Sequence, residues 1–306
     1  MTTITKDTTT ANTRPYRDVH QEVTNTIIEQ LEKGTVPWLK PWNDQSDTSF
    51  DIPRNCTTGN TYRGINIVLL WASAQKNNFA SPEWASYKQW LSKDQAVRKG
   101  EKGTMIVYYD TLEKENEKGE IEKIPYLKQS VVFNKTQLVD YKPEESKDQT
   151  PQKGFAEKID TVESFVFNTK VIVEQPYPKA CYNRVTDKIA MPDRSAFIDT
   201  DHCSATEGYY ATLLHELTHW TGHPSRLNRT FGKRFGDKQY ALEELVAELG
   251  AAFTTTEFGL SRPEKENHAS YIAHWLDVLR ENKYAVVAAA SEASKAHDYL
   301  HKLQPV

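Results

Sequence analysis

Leu213-Leu214-His215-Glu216-Leu217-Thr218-His219-Trp220 places two histidines four residues apart. On a helix that spacing is about one turn, so both imidazoles leave the same face and can reach one cation. Glu216, next to the first histidine, can then reach a water on that cation and take its proton, which is the arrangement of a zinc hydrolase. Leu213, Leu214 and Leu217 share the helix and predict burial. A buried histidine or glutamate without a partner is costly, so the motif reads as a metal site and not as a charged patch on an exposed helix.

Catalytic zinc usually takes three protein ligands and one water, so a third ligand is owed. Two places compete for it. His223 lies four residues after His219, but Gly222 and Pro224 end the helix there and turn that side chain elsewhere. Downstream, Tyr240 to Phe253 reads as a helix whose face repeats Leu245, Leu249 and Ala252, with Glu244 and Glu248 one turn apart on it. Carboxylates on so apolar a helix need partners, and a cation with its histidines supplies them. Glu244 is assigned as the third ligand and Glu248 as the acceptor that orients a ligand histidine, with the two roles exchangeable. His223 is kept as an outer group beside the centre, and Glu243 as an exposed neighbour. The expected ion is Zn2+, or another divalent transition metal such as Mn2+. Tyr182, Tyr240 and His223 compete to stabilise an oxyanion. Ahead of the metal helix, Ala180 to Asn183 and Lys188 to Pro192 read as a hairpin turning at Thr186-Asp187. Its Tyr182, Ile189 and Met191 are the predicted edge on which an extended substrate chain pairs through its backbone.

The 306 residues suffice for two domains, each with its own core. With 38% hydrophobic and 26% charged residues, and no run approaching the roughly eighteen apolar residues of a membrane span, a membrane helix is excluded. Met1 to Thr10 is polar and threonine-rich, without the apolar stretch of a secretory signal, and predicts a cytoplasmic protein. Cys56, Cys181 and Cys203 are odd in number and far apart, giving neither a disulfide framework nor a Cys-x-x-Cys knuckle.

The net charge of −4 leaves nucleic-acid binding to a local patch. One is present. Between Asp51 and Tyr109 there are eight Lys or Arg against four Asp or Glu, and five of the seven tryptophans precede residue 91. Basic groups interleaved with aromatics suit a single-stranded groove, where cations track phosphates and rings stack on bases. The candidates are Trp38, Lys40, Trp42, Arg54, Asn60, Tyr62, Arg63, Asn66, Arg98, Lys99 and Lys102. Around them the pattern predicts helices over Arg17–Lys33 and through Ile67–Trp71, strands at Thr104–Tyr109 and Ser130–Asn134, and hence an α+β module over residues 15–140 after a disordered tail, 1–14. A charged, Pro-bearing linker, 141–156, leads to a second α+β domain, 157–306. His297 and His301, in its last helical region, are expected to be surface or core histidines.

The order of these motifs resembles the ArdC-type plasmid antirestriction proteins, including the N-terminal region of some conjugative primases. It runs through Pro37-Trp38, Asn60-Thr61-Tyr62-Arg63-Gly64-Ile65-Asn66, Ala180-Cys181-Tyr182, Met191-Pro192, His215 to His223 and Glu243 to Leu249. The resemblance covers nearly the whole chain except the threonine-rich tail. It implies an N-terminal domain that binds single-stranded DNA without sequence specificity, and a C-terminal zincin-like metallopeptidase domain similar to the Spartan-type proteases. It also implies protection of an incoming conjugative plasmid from restriction, acting on an unidentified protein substrate such as a restriction or DNA-bound protein. A non-enzymatic coat on single-stranded DNA, with a structural metal, is the alternative.

Overall fold

Val23, Ile27 and Leu31 recur at helical spacing, and Asp18 caps the helix they form, its side chain accepting from the Gln21 N–H. This is α1 (Val19–Glu32). The computed structural model describes residues 18–39, 51–115, 121–142, 155–201, 203–231, 238–262 and 268–305. After α1 come β1 (Arg54–Asn55), α2 (Ile65–Asn77), β2 (Glu83–Ala85), α3 (Tyr87–Leu91), β3 (Thr104–Glu115) and β4 (Ile121–Asn134). The strands form one sheet in the order β1-β2-β4-β3, with β1 parallel to β2 and the other pairs antiparallel. β3 and β4 run well past the predicted strands as a long hairpin, because the charged residues near its tip still pair backbone to backbone. The predicted tail and most of the linker lie outside the described residues.

The second half carries α4 (Phe155–Asn168), β5 (Ile172–Glu174), β6 (Cys181–Asn183), β7 (Lys188–Ala190), α5 (Ala205–Thr221), α6 (Lys238–Glu257), α7 (His268–Glu281) and α8 (Ala285–Lys302). Its small sheet has the order β5-β7-β6. The α+β class read from the sequence is the class observed. No helix among the described residues is long and apolar enough to cross a membrane.

Each half keeps apolar clusters of its own, and the two also share one. The largest apolar cluster joins Val23, Ile27 and Leu31 of α1 and Val68, Leu69 and Trp71 of α2 to Leu245, Leu249 and Phe253 of α6, Trp275 of α7 and Val286 of α8. Trp71 meets Phe253 at 5.9 Å between ring centroids, and Trp38 meets Trp275 edge-on at 5.4 Å. Trp38 is therefore corrected from a base-stacking candidate to a core residue, fully buried against α7. The faces of α6, α7 and α8 are apolar enough to cover α1 and α2, and burying both sides at once removes more apolar surface from water.

α5 runs through the second core, and from Leu213 to Thr221 every one of its side chains is buried. Ser204 and Glu207 close its N-terminus as a reciprocal capping box. α6 crosses it closely at Gly250, where a Cβ would lie 2.5 Å from Thr218 Cγ2 and 2.9 Å from its Oγ1. Thr218 is β-branched and its hydroxyl is bonded to the Leu214 carbonyl, so it has no room to turn away. Gly250→Ala is expected to destabilise by about 1–3 kcal/mol, outweighing the roughly 1 kcal/mol gained in helix propensity. Denaturant unfolding checks this; an increase in stability would show that the helices do not touch there.

Candidate metal centre

α5 and α6 bring His215, His219 and Glu244 together, all buried, with their ligand atoms within 4.8 Å of one another. His215 Nε2 lies 3.6 Å from Glu244 Oε2, and His219 Nε2 lies 3.4 Å from Glu244 Oε1. Two donors about 2.1 Å from a tetrahedral ion stand about 3.4 Å apart, so this spacing fits a small cation. The other ring nitrogens point outward to carboxylates. His215 Nδ1 lies 3.3 Å from Glu248 Oε1, and His219 Nδ1 lies 3.1 Å from Glu243 Oε1. The His219 contact is a hydrogen bond and holds that ring with Nε2 facing the ion, whereas His215 Nδ1 and Glu248 Oε1 lie close without hydrogen-bond geometry.

Each of those carboxylates is backed by an arginine. Arg262 donates to Glu248 Oε2 at 2.5 Å. Arg229 donates to both oxygens of Glu243, at 3.0 and 2.8 Å, and also to Thr221 Oγ1 and the Thr218 carbonyl, each at 2.7 Å. Glu243, read from the sequence as an exposed neighbour, is buried and belongs to the centre. α6 is covered on nearly all sides, so a residue one step off the Glu244 and Glu248 stripe is still interior. Arg229 was missed because it sits in a turn whose sequence does not mark it. Gly222 makes room for it: a Cβ there would lie 2.7 Å from the Phe231 ring and 2.9 Å from Arg229 Nη2.

Burial works against a charged His219, but its hydrogen bonds to Glu243 and Glu244 outweigh this and push its pKa up to about 10. Burial likewise pushes the Glu243 and Glu244 carboxyls up, yet the histidines and Arg229 hold both below the ordinary 4.5. A depressed carboxyl contributes stability that is present above 4.5 and lost as pH falls beneath it. The metal-stripped protein is therefore expected to lose thermal stability progressively on acidification below pH 4.5. A melting temperature that stays flat through that range would contradict the assignment of these ion pairs.

Glu216 is buried beside the ligands, and among the described residues no hydrogen bond or ion pair engages its carboxylate. Its charge reaches two neighbours. Burial first and then Glu216 push the Cys181 thiol on β6 up. Tyr240, at the start of α6, is raised by burial, by Glu244 and more weakly by Glu216. Of the three oxyanion candidates, Tyr240 alone faces Glu244 and Glu216. Tyr182 gives its hydroxyl hydrogen to Asp187 at 2.9 Å, and His223 Nδ1 pairs with Ser225 Oγ at 2.7 Å in the turn after α5. His223 thus lies in that turn, with its Nδ1 engaged by Ser225.

The predicted substrate edge needs a correction. β7 is the central strand of its sheet, paired to β5 and β6 on its two sides, so Ile189 cannot offer a free backbone edge. Ile189 and Met191 are fully buried in the second core, and Met191 already exchanges backbone hydrogen bonds with Glu174 and Tyr177. The outer strand on the Glu216 side is β6, which holds Tyr182 and Cys181.

The DNA candidates divide in the same way. Asn66 exchanges two hydrogen bonds with the Val107 backbone, at 2.7 and 2.8 Å, tying α2 to β3. Tyr62 is half-buried against the core, with its hydroxyl near the Asn55 amide. Arg98 is spent on Glu101 and on the Thr136 and Leu138 carbonyls. These three hold structure. Arg54, Asn60, Arg63, Lys99 and Lys102 are exposed, with Arg54 paired to Glu83 and Arg63 to Asp298. Lys40 and Trp42 lie outside the described residues. Exposed aromatics that the sequence did not single out include Tyr108 and Tyr109 on β3, at 48% and 62% exposure, beside a groove that Arg63 and Lys295 also line; Tyr87 and Tyr126 are exposed as well.

Residues 160–292 match the family model for a zincin-like metallopeptidase, and residues 17–133 match that for the N-terminal domain of anti-restriction factor ArdC. Fold and site thus define a zincin-like metallopeptidase domain built onto an ArdC-type N-terminal domain. The chain is 33% identical over 295 residues to the uncharacterized protein y4eC of Sinorhizobium fredii, covering 94% of this chain and 92% of that one. It is 35% identical over 300 residues to the Escherichia coli DNA primase TraC, covering 92% of this chain and 27% of the primase. Crystal structures of the antirestriction ArdC protein from plasmid R388 superpose with TM-scores of 0.76 (metal-free, 39% identity) and 0.75 (Mn(II)-bound, 37% identity). Each covers 94% of this chain and 98% of that one. The chain belongs to the ArdC antirestriction family.

Proposed function

We propose that this chain is an antirestriction metallopeptidase whose N-terminal half holds single-stranded DNA without reading its sequence. The His215, His219 and Glu244 centre, loaded with Zn2+ or another divalent ion, then cleaves protein bound to that DNA. The observation that carries the reading is Glu216: a buried carboxylate beside two ligand histidines, without a hydrogen-bond partner among the described residues. A purely structural site needs no base there.

His215, His219 and Glu244 would hold a divalent ion, which would supply an acidified water and a Lewis acid for the scissile carbonyl. Glu216 takes the proton from that water and returns it to the leaving amine. Tyr240, whose hydroxyl lies beside Glu244, is the candidate to donate to the carbonyl oxygen, and the outer edge of β6 is the candidate to pair with an extended substrate chain. Glu243 keeps the His219 imidazole aimed. Protein bound to incoming conjugative plasmid DNA, restriction enzymes among it, is the substrate class that links this chemistry to antirestriction in the cytoplasm.

On the DNA side, Tyr108 and Tyr109 offer stacking faces, and Arg63, Lys99, Lys102 and Lys295 offer charge. Affinity for single-stranded DNA is expected to fall steeply with salt. Tyr108→Ala/Tyr109→Ala is expected to weaken it by about 1–3 kcal/mol per lost stack. Fluorescence anisotropy with a labelled single strand checks both, and unchanged affinity would move the interface elsewhere. The whole reading is tested by incubating the metal-loaded protein with a DNA-bound protein, with and without single-stranded DNA. DNA protection that persists after chelation, with no cleavage, would leave a coat protein instead.

A further inference from the structure

The last turn of α6 and the C-terminal half of α8 repeat the donor pattern of the main centre. His297 and His301 are four residues apart on α8, so their rings leave the same face, with centroids 4.4 Å apart. Glu257 ends α6 opposite them. Both histidine Nε2 atoms converge on the same oxygen, Glu257 Oε2, at 2.8 and 2.9 Å. The main centre likewise combines a histidine pair at this spacing with one glutamate of α6.

We propose that Glu257, His297 and His301 form a second site for a divalent transition-metal ion, separate from the peptidase centre. All three ligand atoms lie within 4.8 Å of one another. Two imidazoles and a carboxylate favour zinc, cobalt, nickel or copper over magnesium or calcium. An ion between them opens the present hydrogen-bond distances to about 3.4 Å, a shift that side-chain rotation alone provides. The side chains keep 23%, 36% and 38% exposure for His297, His301 and Glu257, so an ion can enter and water can complete its coordination.

The surroundings are also built for a ligand. The three residues line a cavity of about 440 Å³ whose other wall is the N-terminal segment, with Arg54, Thr61 and Arg63. Glu244 and Glu257 are thirteen residues apart on one helix, about 20 Å at 1.5 Å per residue. Binuclear hydrolytic centres hold their ions about 3.5–4 Å apart, so the two sites cannot act on one bond. The second ion instead joins α6 to α8 at the cavity that the N-terminal segment walls.

The test uses the full chain, stripped with a chelator and reloaded with Zn2+ or Co2+. Wild type is expected to retain two equivalents by elemental analysis after desalting, and His297→Ala/His301→Ala one. His215→Ala/His219→Ala is also expected to retain one, now with the Co2+ spectrum of the α8 site. Glu257→Gln, which keeps a hydrogen-bonding side chain, is expected to weaken the second equivalent by more than about tenfold. Retention of the first equivalent shows that the α8 variants are folded. A single wild-type equivalent that disappears entirely in His215→Ala/His219→Ala overturns the proposal, as does a second equivalent untouched by both the α8 and Glu257 changes. Neither outcome depends on whether the protein cleaves peptides.

Discussion

Arg229→Ala is expected to lower the free energy of unfolding by about 3–5 kcal/mol. The guanidinium is buried and makes four hydrogen bonds, two to Glu243 and two to the C-terminal part of α5. Removing it leaves the Glu243 carboxylate interior, with His219 its remaining ion-pair partner among the described residues. The loss comes mainly from that stranded charge, so adding Glu243→Gln to the alanine variant is expected to restore part of the stability. Metal affinity falls as well, by about 10- to 100-fold, because the acceptor that aims His219 is no longer anchored. Denaturant titration of both variants and competition with a chromogenic chelator read the two effects. A loss under about 1 kcal/mol would mean that water reaches Glu243 and the pair is not buried in solution.

Glu216→Gln is expected to reduce peptide hydrolysis by about 10²–10⁴-fold while metal content stays at the wild-type level. Glutamine has the shape of glutamate but cannot take the proton, so a selective loss of rate identifies the base. The melting temperature of the metal-stripped variant is expected to stay near the wild-type value, so that a loss of rate cannot be a loss of fold. Elemental analysis, a cleavage assay and a thermal melt together decide the matter. Cleavage at the wild-type rate would remove Glu216 from the chemistry.

What the sequence makes legible is local. His215, Glu216 and His219 announce themselves by a spacing that holds on any helix, and the end of α5 follows from Gly222 and Pro224. Glu244 and Glu248 were found by the same one-turn rule applied to a second helix. Glu243 and Arg229 were not, since their roles exist only where α5, α6 and the turn after α5 meet. Trp38 shows the reverse error. A tryptophan between prolines and two residues from a lysine has the look of a stacking surface, and nothing nearby in the chain shows that Trp275, far downstream, covers it. Ile189 was misplaced because a hairpin reads the same whether or not a third strand, here β5, closes its free side. His297, His301 and Glu257 were passed over because a pair of histidines at helical spacing is unremarkable until a glutamate from another helix arrives between them.

The core that α1 and α2 share with α6, α7 and α8 has a bearing on how such a molecule chooses its targets. Two modules on a flexible tether search the volume around their anchor, and the tether length sets an effective concentration. Here Trp38 against Trp275 and Trp71 against Phe253 weld the modules instead. A strand held on the N-terminal face would present its cargo to the metal at one fixed offset and one orientation, as a ruler does. A protein would be selected by where it sits on the DNA, and its own sequence would matter little.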